Sequence, residues 1–365
     1  IAKWSQYLAA RTAAAALLSF DVETNLRTAE FIGRMLYRFD KRHAERGRRH
    51  LAMAMPEMSV EERERINVGV FEHFVSLIVE AMHTPRLITP DNWHRCVRLG
   101  DVKESLRILN SREPAILLTG HIGNWEMLGT LMSVLGFKLH AIARPLDNPL
   151  VNDWLMGIRE RRGLSIITKW QATDRMVDIL DRGEALAFIA DQNAGEKGMF
   201  VPFFGKLAST YKSIGLLAVQ REVPIICGCC HRTGAGMDYE MNIIDVIRPE
   251  HWADMRDPIY YVTARYMRAI EHMVRLHPSQ YLWMHRRWKS RPRYERRGRP
   301  MPSGLTRNLE ELPWMTADLM ASLREPVPEG VTTKRRAHGA AVGSEAAVDR
   351  AGEFDAEAQR RGEEG

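Results

Sequence analysis

A chain of 365 residues, 45% apolar and 27% charged, is long enough for about two domains, or one large domain with attachments. It is too apolar for wholesale disorder, and collagen-like, mucin-like and disulfide-stapled miniature architectures are excluded. The 52 Lys and Arg outweigh the 46 Asp and Glu, and the net charge of +6 favours anionic partners: phosphates, nucleic acid or an anionic membrane surface.

Residues 1–45 read as helix, with Trp4, Leu8, Leu17, Phe31, Ile32, Met35, Leu36 and Phe39 recurring at threes and fours. The stretch is more apolar than a surface helix requires, so it either packs on the core or lies in a membrane interface. The basic run that follows (Lys41, Arg42, His43, Arg46, Arg48, Arg49, His50) suits lipid head groups or a solvated face. No apolar run reaches the ~18 residues that a membrane-spanning helix needs. The chain begins with Ile1 rather than Met, which leaves room for an anchor upstream. Helical register continues to about residue 110, and Ser59 followed by Glu61 and Glu62 predicts a capped helix start.

From there the pattern changes. Short apolar runs at 115–120, 141–143, 165–167, 185–190 and 223–227 are strand-length and end at Gly, Pro or charge. Helical patterns at 126–135, 149–162, 174–182 and 212–221 separate them. Strands alternating with helices predict an α/β domain with a mostly parallel, buried central sheet flanked by helices. Residues 258–288 read as an amphipathic helix, and the stretch beyond 326, rich in Ala, Gly, Glu and Arg, reads as disordered. The expected organisation is a helical, membrane-interfacial part over 1–110, an α/β catalytic domain over 111–300 and a largely disordered tail over 301–365.

The strongest chemical feature is Gly120-His121-Ile122-Gly123-Asn124-Trp125-Glu126, between a predicted strand and a predicted helix. Inside a helix, residues five apart diverge by about 140°. His121 and Glu126 therefore meet only if His121 sits in the turn and Glu126 in the first helical turn. The glycines permit such a turn, and the helix start offers N–H groups to a developing oxyanion. A His with a carboxylate behind it is a base for a hydroxyl. No Ser or Cys nucleophile lies nearby in sequence, which favours direct transfer over a covalent acyl-enzyme. A satisfied structural histidine is the plainer alternative.

Cysteines are few: Cys96, Cys227, Cys229 and Cys230. They form no disulfide framework, so a reducing compartment is the default. Cys227, Cys229, Cys230 and His231 invite a metal reading, but structural zinc usually draws its ligand pairs from separated segments. Small buried strand residues are expected instead, and no metal. The basic run 285–299 interleaves with Trp283, Trp288 and Tyr294, a composition that suits single-stranded nucleic acid or a lipid interface. No RNA-binding signature accompanies it, so nucleic acid is not an expected partner.

The motif GHIGNWE resembles the first block of the lipid A biosynthesis acyltransferases, the lauroyl and myristoyl transferases related to the glycerol-phosphate acyltransferases. Residues 143–149 (Ala-Arg-Pro-Leu-Asp-Asn-Pro) resemble the second block, and 158–163 the segment that carries a functional arginine, placed at Arg159. Asp191-Gln192-Asn193 with 198–206 is similar to the third block, and 280–292 to the closing signature. The four blocks occur in the expected order over 4–292. An acidic or aromatic residue often follows Asp191 in the family where this chain has Gln192, and 301–365 has no counterpart.

The resemblance implies a glycerol-phosphate acyltransferase-like fold and transfer of a fatty acyl group from an acyl-ACP or acyl-CoA thioester to a hydroxyl of a lipid A precursor. It also implies no further cofactor and a place at the cytoplasmic face of the bacterial inner membrane, peripheral or anchored. His121 and Glu126 are the expected catalytic pair. Arg144 and Arg159 suit phosphate, since a guanidinium binds phosphate oxygens bidentately, although Arg144 pairing with Asp147 would only fix the loop. Asp147 and Asn148 belong to the same expected substrate site. Asp191 at a strand end could orient an arginine, bind a sugar hydroxyl or cap the structure. Phe203 and Phe204 are acyl-channel walls or core, and Lys206 a phosphate ligand or a surface residue. Other acceptors (a phosphatidylinositol mannoside or a lysophospholipid) and a non-catalytic, basic membrane-binding scaffold are the alternatives.

Overall fold

The computed structural model describes residues 2–143, 146–160, 164–168 and 172–332, leaving out the side chains of 143, 158–160, 168, 172, 173 and 329. Four helices lead: α1 (Ala2–Leu17), α2 (Val22–Phe39), α3 (Lys41–Ala54) and α4 (Val60–Leu87). Asp21 caps α2 by accepting the Thr24 N–H. Ser59 and Glu62 close a reciprocal capping box at the start of α4, as the sequence predicts.

Next come β1 (Val97–Leu99), α5 (Lys103–Asn110), β2 (Ala115–Thr119), α6 (Trp125–Val134), β3 (Leu139–Ala143), α7 (Pro149–Glu160), β4 (Leu164–Thr168), α8 (Ala172–Asp181) and β5 (Ala185–Ile189). The hairpin β6 (Met199–Phe203) and β7 (Lys206–Thr210) follows, then α9 (Lys212–Arg221), β8 (Ile225–Arg232), β9 (Tyr239–Ile247) and α10 (Pro258–Leu276). Short helices α11 (Arg293–Arg296), α12 (Ser303–Glu310), α13 (Ala317–Arg324) and α14 (Glu329–Thr332) complete the described chain.

Seven strands form one sheet in the order β1-β9-β8-β2-β5-β3-β4. From β8 to β4 all neighbours are parallel; β9 turns back against β8, and β1 runs parallel to β9. The chain is therefore α/β with a mainly parallel sheet. Both sheet faces are buried, which is why the strands read as continuous apolar runs. Ile116 and Leu118 of β2 belong to the larger core with α10, the β6–β7 hairpin and the C-terminal helices. The opposite face packs on α4 and α6 through residues such as Val79, Met127, Leu131 and Leu139. Cys227 and Cys229 enter the first core and Cys230 the second, all buried.

Three expectations change. The segment 301–332 is helical and part of the core: Leu309, Leu312, Met320, Leu323 and Val327 are buried in it. Residues 333–365 lie outside the described ones. The basic, aromatic run whose composition suits a nucleic-acid or lipid surface is mostly interior as far as Pro292, with Trp288 fully buried and Trp283 and Arg287 at 1% exposure, while Arg293, Arg296, Arg297 and Arg299 are exposed. The run after α2 is partly spent internally: Arg48 pairs with Glu45 and Glu64, Arg49 with Glu45, and Arg46 donates to the Met284 carbonyl. Residues Trp4, Leu8, Phe20, Phe31, Ile32, Leu36 and Phe39 of the first two helices and their link are exposed. No helix among the described residues is long and apolar enough to cross a membrane.

Because Leu309 and Leu323 are interior, Leu309→Ala and Leu323→Ala should each destabilise the protein by about 2–5 kcal/mol in a urea titration. Unchanged midpoints would mean that the C-terminal helices only rest on the surface.

Candidate active site

The centre of the site is set by strand register. β2 and β5 are parallel neighbours with Thr119 opposite Ile189, and the Ala190 N–H extends the ladder to the Thr119 carbonyl at 2.9 Å. Two residues beyond each strand end, His121 and Asp191 fall side by side. His121 Nδ1 lies 2.7 Å from Asp191 Oδ1, with 19% of the His121 side chain and 2% of the Asp191 side chain exposed. This is the carboxyl edge of a parallel sheet, where open α/β folds keep their sites.

Burial pushes the Asp191 carboxyl up, but the adjacent His121 ring and the backbone N–H of His121 outweigh it and hold the group below its usual pKa. An ionised Asp191 takes the Nδ1 proton of His121 in a hydrogen bond, which leaves the lone pair on Nε2. The Gln192 amide lies 3.4 Å from Nε2, and the Trp125 ring meets the imidazole edge-on at 5.0 Å between centroids.

The closing segment locks this arrangement. Ile122 forms an antiparallel bridge with Tyr281; Gly123 N–H donates to the Gln280 carbonyl and Leu282 N–H to the His121 carbonyl, both at 3.1 Å. Tyr281 is fully interior, and burial with the nearby Asp191 charge pushes its hydroxyl well above the usual pKa. His285 Nε2 accepts the Asn193 N–H at 3.1 Å, and burial pushes this imidazole down to about 3, so it stays neutral. Arg287 donates to the Ser209 carbonyl and, at 2.7 Å, to Thr210 Oγ1. The closing signature thus holds the turn after β5 from behind.

Helix α4 holds the other side. Asn124 caps α6 by accepting the Met127 N–H at 2.8 Å, and its amide donates to buried Glu80 at 2.7 Å. Glu80 also pairs with Arg232. Gly123 has φ 61, and a Cβ there would lie 2.2 Å from the Cys230 carbonyl oxygen, so only glycine lets the turn pass this close to β8. His73 donates to the Gly123 carbonyl at 3.1 Å; burial pushes it down to about 3, and it stays neutral.

Beside the pair, an apolar cavity of about 180 Å³ runs between α6 and the sheet. Thr119, Trp125 and Glu126 line it at the His121 end, and Leu106, Leu128, Gly129, Met132, Leu164 and Ile166 elsewhere.

A model of the bacterial lipid A biosynthesis acyltransferases matches residues 4–290. The chain belongs to the bacterial lipid A biosynthesis acyltransferase family. Among relatives, the lipid A biosynthesis lauroyltransferase of Escherichia coli K12 is 28% identical over 72% of this chain and 84% of its own. The palmitoleoyltransferase of the same organism is 28% identical over 72% and 83%. A lipid A biosynthesis acyltransferase of Haemophilus influenzae is 26% identical over 69% and 79%. The protein is accordingly an O-acyltransferase.

The expected site residues of this acyltransferase divide. His121 and Asp191 meet, so the carboxylate on Nδ1 comes from β5; Glu126 stands in the first turn of α6 as a wall of the cavity. Asp191, expected at a strand end as a substrate residue, is instead the partner of His121; the signal for that pairing is positional, since both lie two residues past the ends of buried strands. Arg144 lies outside the described residues, and Arg159 sits in α7 with its side chain outside them.

Asp147 is exposed; Asn148 accepts the Leu150 N–H and donates to the Lys3 carbonyl, joining α7 to α1. Phe203 and Phe204 are packed in the main core with Tyr281, Trp283 and Trp288 rather than along the cavity. Lys206 reaches the Ser322 carbonyl and the Glu325 carboxylate, both at 2.9 Å, and so secures the end of α13.

Buried neutral His73, and His50, which burial lowers to about 4, bind no proton in the fold but do so in the unfolded chain below pH about 6.5. Their stabilisation is complete above that pH and is lost as pH falls towards 4. Each should subtract up to about 1.4 kcal/mol per pH unit in that window. Urea midpoints measured from pH 7 to 4.5 check this; a midpoint that stays flat would contradict neutral burial.

Proposed function

We propose that this acyltransferase moves a fatty acyl group from an acyl-ACP or acyl-CoA thioester to a hydroxyl of a lipid A precursor. The observation that carries the mechanism is the His121–Asp191 hydrogen bond, close in sequence and space to Trp125, which lines an apolar cavity. His121 Nε2 takes the proton of the acceptor hydroxyl as its oxygen attacks the thioester carbonyl. Asp191 fixes the tautomer and stabilises the imidazolium that forms. The tetrahedral oxyanion gains N–H groups from the first turn of α6, which have no intrahelical carbonyl partner. The carbon–sulfur bond then breaks, and the leaving thiolate recovers the proton from His121.

Glu126 is the second carboxylate of the reacting centre in this reading, supported by its place on the cavity wall next to Trp125. The acyl chain occupies the cavity, whose lining is mainly aliphatic. The relatives are lipid A biosynthesis acyltransferases, which supports a lipid A precursor as the acceptor.

Thioester cleavage coupled to lipid A acylation, followed by thiol release and by mass spectrometry of the lipid, tests this directly. His121→Ala should abolish transfer, and Asp191→Asn and Glu126→Gln should each lower kcat by about 10²–10⁴-fold. A fully active His121→Ala protein would remove the proposed base.

The exposed row Phe31, Ile32, Leu36 and Phe39 on α2, with Trp4 and Leu8 on α1, supports docking on the cytoplasmic leaflet of the inner membrane. Leu26 and Ala29 on the buried side of α2 already pack in the core, so the outer face is available. Replacing both Phe31 and Phe39 with Ser should reduce co-flotation with anionic vesicles about tenfold or more while leaving the melting temperature unchanged. Equal flotation of the two proteins would exclude this face as the docking surface.

A further inference from the structure

Helix α6 carries Gly129 in its interior, one turn beyond Glu126. Glycine weakens a helix interior relative to alanine, so its presence there calls for a reason. Close packing is not one: a Cβ built on Gly129 meets only Leu164 Cδ2 at 3.5 Å and Cδ1 at 3.9 Å, ordinary contact distances. Nor is backbone conformation, since Gly129 is absent from the glycines with positive φ. Gly123, four residues past the end of β2, differs on both counts, with positive φ and a virtual Cβ in collision with β8. What Gly129 preserves is space, and that space belongs to the apolar cavity that begins at Trp125 and Glu126.

We propose that Gly129, with Leu164 facing it from β4, sets the length of acyl chain this enzyme accepts. The inference rests on the acyl-transfer reading above and deepens it. A chain whose thioester carbonyl lies at His121 enters the cavity past Trp125 and must pass between α6 and the sheet. The gap at Gly129 and Leu164 is the place where an added side chain from the helix would shorten that path. In an apolar site each methylene of a fitting chain is worth a factor of about 10 or more in specificity, so a small change in depth shifts the preferred donor.

The test uses the full chain with saturated acyl-CoA thioesters of graded length, and the same acyl groups on acyl carrier protein, assayed for thiol release and for the mass of the acylated product. Gly129→Ala and Gly129→Leu should move the preferred donor to shorter chains. The ratio of kcat/KM for the longest accepted donor to that for the shortest should fall about tenfold or more, further in Gly129→Leu. Gly129→Ala should melt at or above the wild-type temperature, which keeps the test valid if the leucine variant folds poorly. Unchanged length preference in Gly129→Ala, or an equal loss for all lengths, overturns the assignment while the acyl-transfer reading stands. Wild-type protein that releases no thiol from any donor, or His121→Ala protein as active as wild type, overturns the reading itself.

Discussion

The site depends on one buried hydrogen bond, between the imidazole of His121 and the carboxylate of Asp191, and that bond depends on β2 and β5 being parallel neighbours in register. A one-residue slip of β5 would turn its side chains to the opposite faces and carry Asp191 away from the ring. A buried carboxylate is costly unless several donors satisfy it. Here the His121 ring lies 2.7 Å from the carboxylate, and that ring with the His121 backbone N–H holds its pKa below the usual value. The closing segment and the site are tied together: Tyr281 bridges to Ile122, and the Leu282 N–H donates to the His121 carbonyl.

The N-terminal helices are part of the same construction. Glu80 and His73 of α4 hold Asn124 and Gly123, the two residues between the His121 turn and the start of α6. Removing Glu80 would leave Arg232 without its buried counter-charge, a loss of the order of 3–5 kcal/mol. The α2 helix, with its exposed apolar row, packs against α4. A boundary at residue 110 divides the chain by composition, yet the polar contacts of α4 run straight across it.

Much of this was legible in sequence. Alternating apolar runs and helical patterns predict the parallel sheet because both faces of these strands are buried, and the glycines of 120–126 announce the turn. The partner of His121 was not legible as such. Sequence proximity favours Glu126, five residues away, whereas Asp191 is 70 residues away and becomes a neighbour only through strand order. The same limitation misreads Trp283, Trp288 and Arg287, whose basic and aromatic character resembles a surface but whose carbonyl and ring partners lie on the β6–β7 hairpin. Residues 303–332 carry too few apolar side chains to look like core alone; they become core because the hairpin and α10 supply the other half.

In the proposed mechanism, helix α6 joins the two halves of the chemistry because its ends are physically different. Its first turn, capped by Asn124, presents N–H groups and Glu126 beside His121, in the polar part of the site. One turn on, its sheet-facing side is Leu128, Gly129 and Met132, and the environment is aliphatic. A thioester has the same polarity in the same order: a carbonyl that needs hydrogen-bond donors, followed by a chain that needs exclusion from water. In the mechanism we propose, a donor bound along α6 has its carbonyl placed by the same helix that shelters its chain, so depth in the cavity and alignment with Nε2 of His121 become one geometric variable.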